Sequence, residues 1–550
     1  MCAARACDKI SYERVMPTLS KVDGLVPNRS RRPITVVSNR EPYIHAYADD
    51  GSISWTPTTG GVAVALDALM RERGGVWIAH GAGSADRAVV DAGDRVMVPP
   101  DNPTYLLRRI WLSPEEEAQY YAGFANEGLW PLCHEAHVRP VFRAVDWASY
   151  QAVNNRFAEV IDAELPDGAA PVFIQDYHLA LVGSALRERR PGAHSAIFWH
   201  IPWPHPDRLR ICPWRRELMA GLLSNDLLAF QLERDRRNFM AAARDELGAT
   251  KLSRSALRYR DRTINVLSVP IGVDYDRIQD ITTGPTLDRE ISRLRRELQI
   301  DTPLVGIGVD RLDYTKGIPE RLEALSLLLS RRPDLQEKLT FVQIGVPSRS
   351  KLDSYAAVEA EIDEKIVEIN AKFPRGGLGP IRYRKSALKI RRLVALYRMA
   401  TFCIVSSLHD GMNLVAKEFV AARGDLDGVL VLSELAGASQ ELTDAVIINP
   451  YDVDGFTSAL DWALEMPQHE RYRRMRALRR VVAGRNVFSW ASDILEGLEG
   501  LRPGTPLTPP GNIGPRTKSR GDVRAAEVDP DTPHSGHPRR RARVSAIKRR

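Results

Sequence analysis

The chain has 550 residues, 44% hydrophobic and 27% charged, ordinary for a globular enzyme and long enough for two domains rather than one core. Its formal charge of +7 is localised: residues 501–550 carry 12 Lys/Arg against 4 Asp/Glu, so the tail holds +8 and everything before it sums to −1. With no basic excess in the body and no apolar run of the ~18 residues that would suggest a membrane span, the sequence argues against a nucleic-acid binder or a membrane protein as the main class.

Residues 1–32 form a polar extension without the apolar segment of a signal peptide. Five cysteines (Cys2, Cys7, Cys133, Cys212, Cys403) are odd in number, scattered and without metal spacing. A cytoplasmic, reduced protein with no metal or cofactor is the expectation. From Pro33 short apolar runs alternate with helical patterns: PITVVSN, GGVAVALDALMRER and GVWIAH, then PVFIQD, YHLALVGSALRERRP, AHSAIFWHIP and DLLAFQ. Continuously apolar strands, each followed by a helix, predict parallel sheet covered on both faces.

INVLSVPIGVDYDRIQD, interrupted by Pro270 and Gly272, reads as a hinge. The alternation restarts with PLVGIGV, IPERLEALSLLLSRRP, LTFVQIGV and KLDSYAAVEAEIDEKIVEINAKF. TFCIVSS, GVLVLS and AVIINP follow, each with a helix expected behind it. The predicted fold class is therefore α/β, with two Rossmann-like, doubly wound domains facing a cleft, at residues 33–272 and 273–485. A helix at 486–500 is expected to pack back toward the first domain. The tail, 501–550, has eight prolines, a basic end and a disorder composition.

In such sheets ligands bind beyond the carboxyl ends of strands, and several charged residues fall there. HDGMN follows TFCIVSS and opens the helical run LVAKEFVAAR. Free N–H groups and the helix dipole make that end an anion site, and Gly411 lets a ligand approach the backbone. Asp410 would repel phosphate, so it suits a sugar hydroxyl; Glu418, one turn in, suits a ribose. Taken alone, DGxN is also an ordinary helix cap. In GVDRLDYTKGIPERLEAL, Arg311 and Lys316 stand five apart before a helix that starts near Pro319, placed to converge on one diphosphate. Arg349 lies in the loop after LTFVQIGV. In the first half Arg40, Asp176 and His200 sit at strand ends and Gly60-Gly61 at a helix start.

No GxxxxGK[ST], GxSxG, HExxH or early GxGxxG is present, which argues against P-loop, serine-hydrolase, zincin and NAD chemistry. Sugar-type acceptors beside phosphate-type cations point to a sugar-nucleotide transferase. It would need no metal if Arg, Lys and a helix N-terminus stabilise the departing diphosphate.

VVSNR, the TTGG turn, YYAGFANEGLWPLCH, DYHLAL, FWHIPWP, RLDYTKGIPER, PSRS and DGMNLVAKE, in this order, resemble glycosyltransferase family 20, the trehalose-6-phosphate synthase family, over roughly residues 33–500. The resemblance implies a GT-B fold and transfer of glucose, with retention, from a nucleotide-glucose donor to glucose-6-phosphate. It implies acceptor contacts at Arg40, Tyr121, Trp130, Asp176 and Arg349. It implies donor contacts at Gly60, Gly61, His200, Arg311, Lys316, Leu388, Asp410, Gly411, Met412, Asn413, Leu414, Val415 and Glu418. Of these, His200, Arg311, Lys316 and Asp410 are the expected catalytic group. Front-face displacement, with the leaving phosphate taking the acceptor proton, is the implied route.

His80, Gln175 and His409 stand where the family usually has tryptophan, histidine and arginine. REPY after the first strand also resembles glucosylglycerol-phosphate synthases. Glycerol-3-phosphate or another phosphorylated polyol is accordingly the alternative acceptor. A homo-oligomer is compatible with either reading.

Overall fold

Every apolar run named above becomes a strand. The computed structural model describes residues 33–58, 61–166, 170–350 and 352–500. The extension 1–32, the basic tail and Gly60 lie outside the described residues. In chain order the strands of the first half are β1 (Ile34–Arg40), β2 (Tyr43–Tyr47), β3 (Ile53–Pro57), β4 (Gly75–His80), β5 (Arg95–Val98), β6 (Tyr105–Ile110), β7 (Val172–Gln175), β8 (Ser195–Trp199), β9 (Leu227–Phe230), β10 (Thr250–Lys251), β11 (Ala256–Tyr259) and β12 (Arg262–Ser268). The second half adds β13 (Leu304–Arg311), β14 (Leu339–Val346), β15 (Ile381–Arg384), β16 (Phe402–Val405), β17 (Val429–Ser433) and β18 (Val446–Ile448).

Two sheets result. The first runs β10-β11-β12-β9-β8-β7-β1-β4-β6-β5. Its seven central strands are parallel, while β5, β10 and β11 join antiparallel at the edges. The second runs β15-β14-β13-β16-β17-β18, all parallel. Counted in chain order, both parallel sets reverse direction beside their first strand, the doubly wound pattern that opens a crevice at the reversal. The reversal lies between β1 and β7 in one sheet and between β13 and β16 in the other. Arg40 and Asp176 flank the first crevice, and Arg311 and Asp410 flank the second.

The helix Val487–Glu499 returns to the first sheet. Its Trp490 packs on Phe198 and Phe173, with ring centres 5.0 and 5.7 Å away. No helix among the described residues is long and apolar enough to cross a membrane.

One expectation needs correction. β17 is followed not by a helix but by a four-residue 3-10 turn, Gly437–Gln440. The turn is occupied otherwise: Gly437 N–H donates to Asp410 O (3.0 Å) and Ala438 N–H to Met412 O (2.7 Å). It props the DGMN loop from below, so closely that a Cβ on Gly437 would lie 2.0 Å from Gly411 O.

β2 and β3 form a hairpin outside both sheets, between Arg40 and the helix Gly61–Arg73. Its base rests on a buried ionic cluster. Arg109 Nε donates to Glu41 Oε2 (2.7 Å) and its Nη2 lies 2.9 Å from Asp86 Oδ1 and from His45 Nδ1. All four side chains are buried.

Candidate active site

Arg40 ends β1 with its side chain exposed, and its Nη2 donates to Tyr121 Oη at 3.1 Å. Tyr121 and Trp130 are nine residues apart, which on an α-helix places them on opposite faces. The segment Glu117–Leu129 is instead π-helical, and Trp130 N–H closes an i→i−5 bond to Ala125 O. With about 4.4 residues per turn, nine residues make two turns, so both rings face the same way. Tyr121 stacks on His178, with ring centres 5.5 Å apart. Burial alone would raise the Tyr121 hydroxyl, but the Arg349 and Arg40 guanidinium groups outweigh it and bring it down to about 8.

Arg349 comes from the far side, beyond β14, at positive φ. Its side chain is 5% exposed and its guanidinium stands 4.2 Å over the Trp130 ring. Nη1 donates to Tyr355 Oη (2.7 Å) and Nη2 to Tyr177 Oη (3.2 Å). Arg311 reaches the same Trp130 ring, at 5.1 Å. Arg40, Tyr121, Trp130 and Arg349 thus form one continuous group, with Arg311 against it.

Between the two arginines sits Asp313, fully buried, 3.5 Å from Arg311 Nη2 and 3.4 Å from Arg349 Nη1. Burial would raise its carboxyl, but Arg311, Arg349 and Lys316 together hold it below the usual range. Sequence reading missed Asp313, and the signal lay in RLDYTK: an acid between two cations that must not repel each other.

Lys316 follows in the 3-10 turn Tyr314–Lys316, and its Nζ lies 2.5 Å from Asp410 Oδ2. Asp410 also accepts from Ser407 Oγ and Asn413 Nδ2, each at 3.2 Å. Burial pushes its carboxyl up, but the Lys316 ammonium and the Asn413 hydrogen bond prevail and bring it to about 2. Asn413, at positive φ, caps the helix Leu414–Ala422 by accepting from Ala416 N–H (3.2 Å). Met412 and Leu388 are buried in one apolar cluster, and Leu414 and Val415 pack against it. Glu418 accepts from Tyr397 Oη (2.9 Å), and burial pushes its carboxyl up to about 7.

Asp176 and His200 join the two groups. Asp176 adopts φ 75°, a backbone state that costs about 1–3 kcal/mol and persists only where its surroundings enforce it. Its Oδ1 accepts from His200 N–H (3.1 Å), and burial raises its carboxyl to about 6 against those hydrogen bonds and Arg349. The His200 carbonyl faces Gly411 so closely that a Cβ there would lie 2.4 Å from it. Gly61 opens the helix Gly61–Arg73.

Fold and geometry define two doubly wound sheets with cationic side chains at both strand reversals, Arg40 at the first and Arg311 at the second. Residues 32–500 match glycosyltransferase family 20, and the chain belongs to that family. It is 38% identical over 472 residues to the trehalose-6-phosphate synthase of Mycobacterium avium, an alignment covering 84% of this chain and 94% of that protein. The Mycolicibacterium smegmatis synthase is 37% identical over 472 residues, covering 84% and 92%. Among solved structures, an E. coli one bound with UDP-2-fluoro glucose superposes with a TM-score of 0.76 at 31% identity, covering 86% of this chain and all of that one. An α,α-trehalose-phosphate synthase (UDP-forming) from Burkholderia xenovorans, in complex with glucose-6-phosphate, gives 0.76 at 32% identity, covering 85% and 100%.

Proposed function

We propose that this chain transfers glucose from UDP-glucose to glucose-6-phosphate, with retention, giving α,α-trehalose 6-phosphate. One observation carries the reading: Arg311 and Arg349 stack over the same Trp130 ring, at 5.1 and 4.2 Å. A guanidinium meant for a diphosphate and one meant for a sugar phosphate therefore share one platform, which is where two phosphorylated sugars must meet.

On the acceptor side Arg40, Tyr121, Trp130 and Arg349 take the phosphate. Trp130 Nε1 and Arg349 Nε are buried without a hydrogen-bond partner, as donors awaiting an anion would be. Asp176 accepts from an acceptor hydroxyl. On the donor side Arg311, Lys316 and the backbone of Gly411–Val415 hold the diphosphate, Asp410 and His200 the glucose, Glu418 the ribose, and Leu388 with Met412 an apolar wall. Gly61, at the start of its helix, is assigned to the donor side.

Neither Asp410, tied to Lys316, nor Asp176 has the setting of a carboxylate nucleophile. The bond from the acceptor hydroxyl oxygen to the anomeric carbon forms on the face from which phosphate departs. The anomeric C–O bond to phosphate breaks, and the hydroxyl proton passes to the leaving phosphate oxygen. The protein supplies position and charge.

Residues 33–272 and 273–485 act as the two domains, with 486–500 tying the second to the first. A cytoplasmic setting belongs to the same proposal, in keeping with Cys133, Cys212 and Cys403, all buried and unpaired. The test is an assay of purified protein with several nucleotide-glucose donors against glucose-6-phosphate and glycerol-3-phosphate, scored by product mass. A trehalose phosphate from UDP-glucose is expected. No transfer to glucose-6-phosphate from any donor overturns the proposal.

A further inference from the structure

His200 is held at both ring nitrogens by glutamines. Its Nε2 lies 3.0 Å from Gln175 Oε1, and its Nδ1 lies 3.5 Å from Gln231 Nε2. Both glutamines are buried, at 3% and 2% exposure. A ring nitrogen does not reveal its proton and an amide does not reveal which end is which, so the network has to be read from a group whose role is fixed.

Ile271 supplies that group. Its backbone N–H can only donate, and it lies 2.9 Å from Gln231 Oε1. The oxygen of Gln231 is thereby assigned, so its NH2 group faces His200 and Nδ1 must offer a lone pair. A neutral imidazole then carries its proton on Nε2, which donates to Gln175 Oε1. The Gln175 NH2 group, at the end of the series, is buried without a partner. The series also runs backward from Ile271, whose carbonyl accepts from Lys417 Nζ at 2.7 Å. Lys417 belongs to the helix Leu414–Ala422 that the DGMN loop opens, and Glu441 Oε2 balances its charge at 2.6 Å.

We propose that Gln231 and Gln175 are positioning residues for the transfer reaction, which lock His200 as the neutral Nε2–H tautomer. The inference rests on the reading above, in which His200 lies beside the donor glucose. Positive charge develops on that sugar as its bond to phosphate breaks. An imidazolium at this place would oppose it, whereas a neutral ring does not. To protonate Nδ1, Gln231 must turn its amide away, which forfeits the hydrogen bond from Ile271 as well. Burial acts in the same direction, pulling the His200 ring down to about 3. The titratable groups facing His200 are Asp176, which accepts from its backbone N–H, and His178, whose protonation its charge would oppose. Phe198 of β8 and Trp490 of the returning helix flank the ring, with ring centres 4.5 and 5.9 Å away.

The test uses the full chain with 15N-labelled histidine and the variants Gln231→Glu and Gln175→Met. Gln231→Glu keeps the shape and still accepts from Ile271, but its second oxygen demands a proton on Nδ1. Its His200 signal, assigned by its loss in His200→Asn, is expected to move from Nε2–H to Nδ1-protonated. The kcat/KM for UDP-glucose should fall about tenfold or more toward acid between about pH 6 and 8, a slope absent from the wild type. Gln175→Met removes only the acceptor for Nε2–H and is expected to raise the donor KM more than it lowers kcat.

A wild-type spectrum showing Nδ1–H overturns the proposal. So do both variants keeping kcat/KM within about twofold of wild type with the wild-type pH profile. If the wild type transfers no glucose, the functional reading has failed, while the nitrogen spectrum still decides the tautomer.

Discussion

Lys316 serves two partners: the 2.5 Å contact holds Asp410 ionised, and the same ammonium lies on the proposed path of the departing diphosphate. Lys316→Ala and Arg311→Ala are each expected to lower turnover about 100-fold or more, as when a donor to developing charge is removed. The lysine variant carries a second signature. Asp410 is depressed from 3.8 to about 2, so its contribution to stability is present above the unfolded value and is lost as pH falls through about 2. Without the ammonium its carboxyl titrates higher, and the acid limb of the pH–rate profile should move up in Lys316→Ala but not in Arg311→Ala.

Glu418 behaves oppositely, since burial raises it to about 7. A ribose hydroxyl that donates to it favours the ionised form, so below pH 7 nucleotide binding must expel a proton. UDP affinity should weaken by up to about tenfold per pH unit below 7. Glu418→Gln should abolish that slope. Calorimetric titrations in buffers of different ionisation enthalpy report the proton directly.

Among elements, the π-helical segment and the hairpin base decide what their residues reach. Arg109 is the cation of a cluster in which Glu41 and Asp86 are both buried. Arg109→Met removes the guanidinium that balances this buried acidic pair, at a cost of about 3–5 kcal/mol. Because Glu41 follows Arg40, the variant is expected to raise the KM for glucose-6-phosphate more than that for UDP-glucose, alongside a lowered melting temperature. Equal stability to wild type would show that the carboxylates find other partners. None of this was legible locally: nothing in EAQYYAGFANEGL announces the i→i−5 bonding that sets Tyr121 and Trp130 on one face.

For the molecule as a whole, two C-terminal truncations are expected to differ. Removing residues 505–550 should leave transfer unchanged. Removing 487–550 also takes Trp490 off Phe198 and His200. That truncation is expected to abolish activity and to expose the face of the first sheet to hydrophobic dyes. Retained activity in the longer truncation would show that the returning helix does not support His200.

The parallel strands that alternate with helices, and the placement of Arg40, Asp176, Arg311, Lys316, Arg349 and Asp410 at or just beyond strand ends, were legible in the chain itself, whereas the hairpin β2–β3, the strands β5, β6, β10, β11 and β15, and the 3-10 turn after β17 were not. Apolar periodicity and the breaks that end it are local properties, and a strand end is where a parallel sheet exposes its ligands. Tertiary structure decided which of those residues meet. The 3-10 turn under the DGMN loop, Asp313 between two guanidinium groups, the shared Trp130 ring and the glutamines around His200 join segments distant in the chain. Such pairings are set by how the two sheets and their connecting loops pack, and no window of sequence contains them.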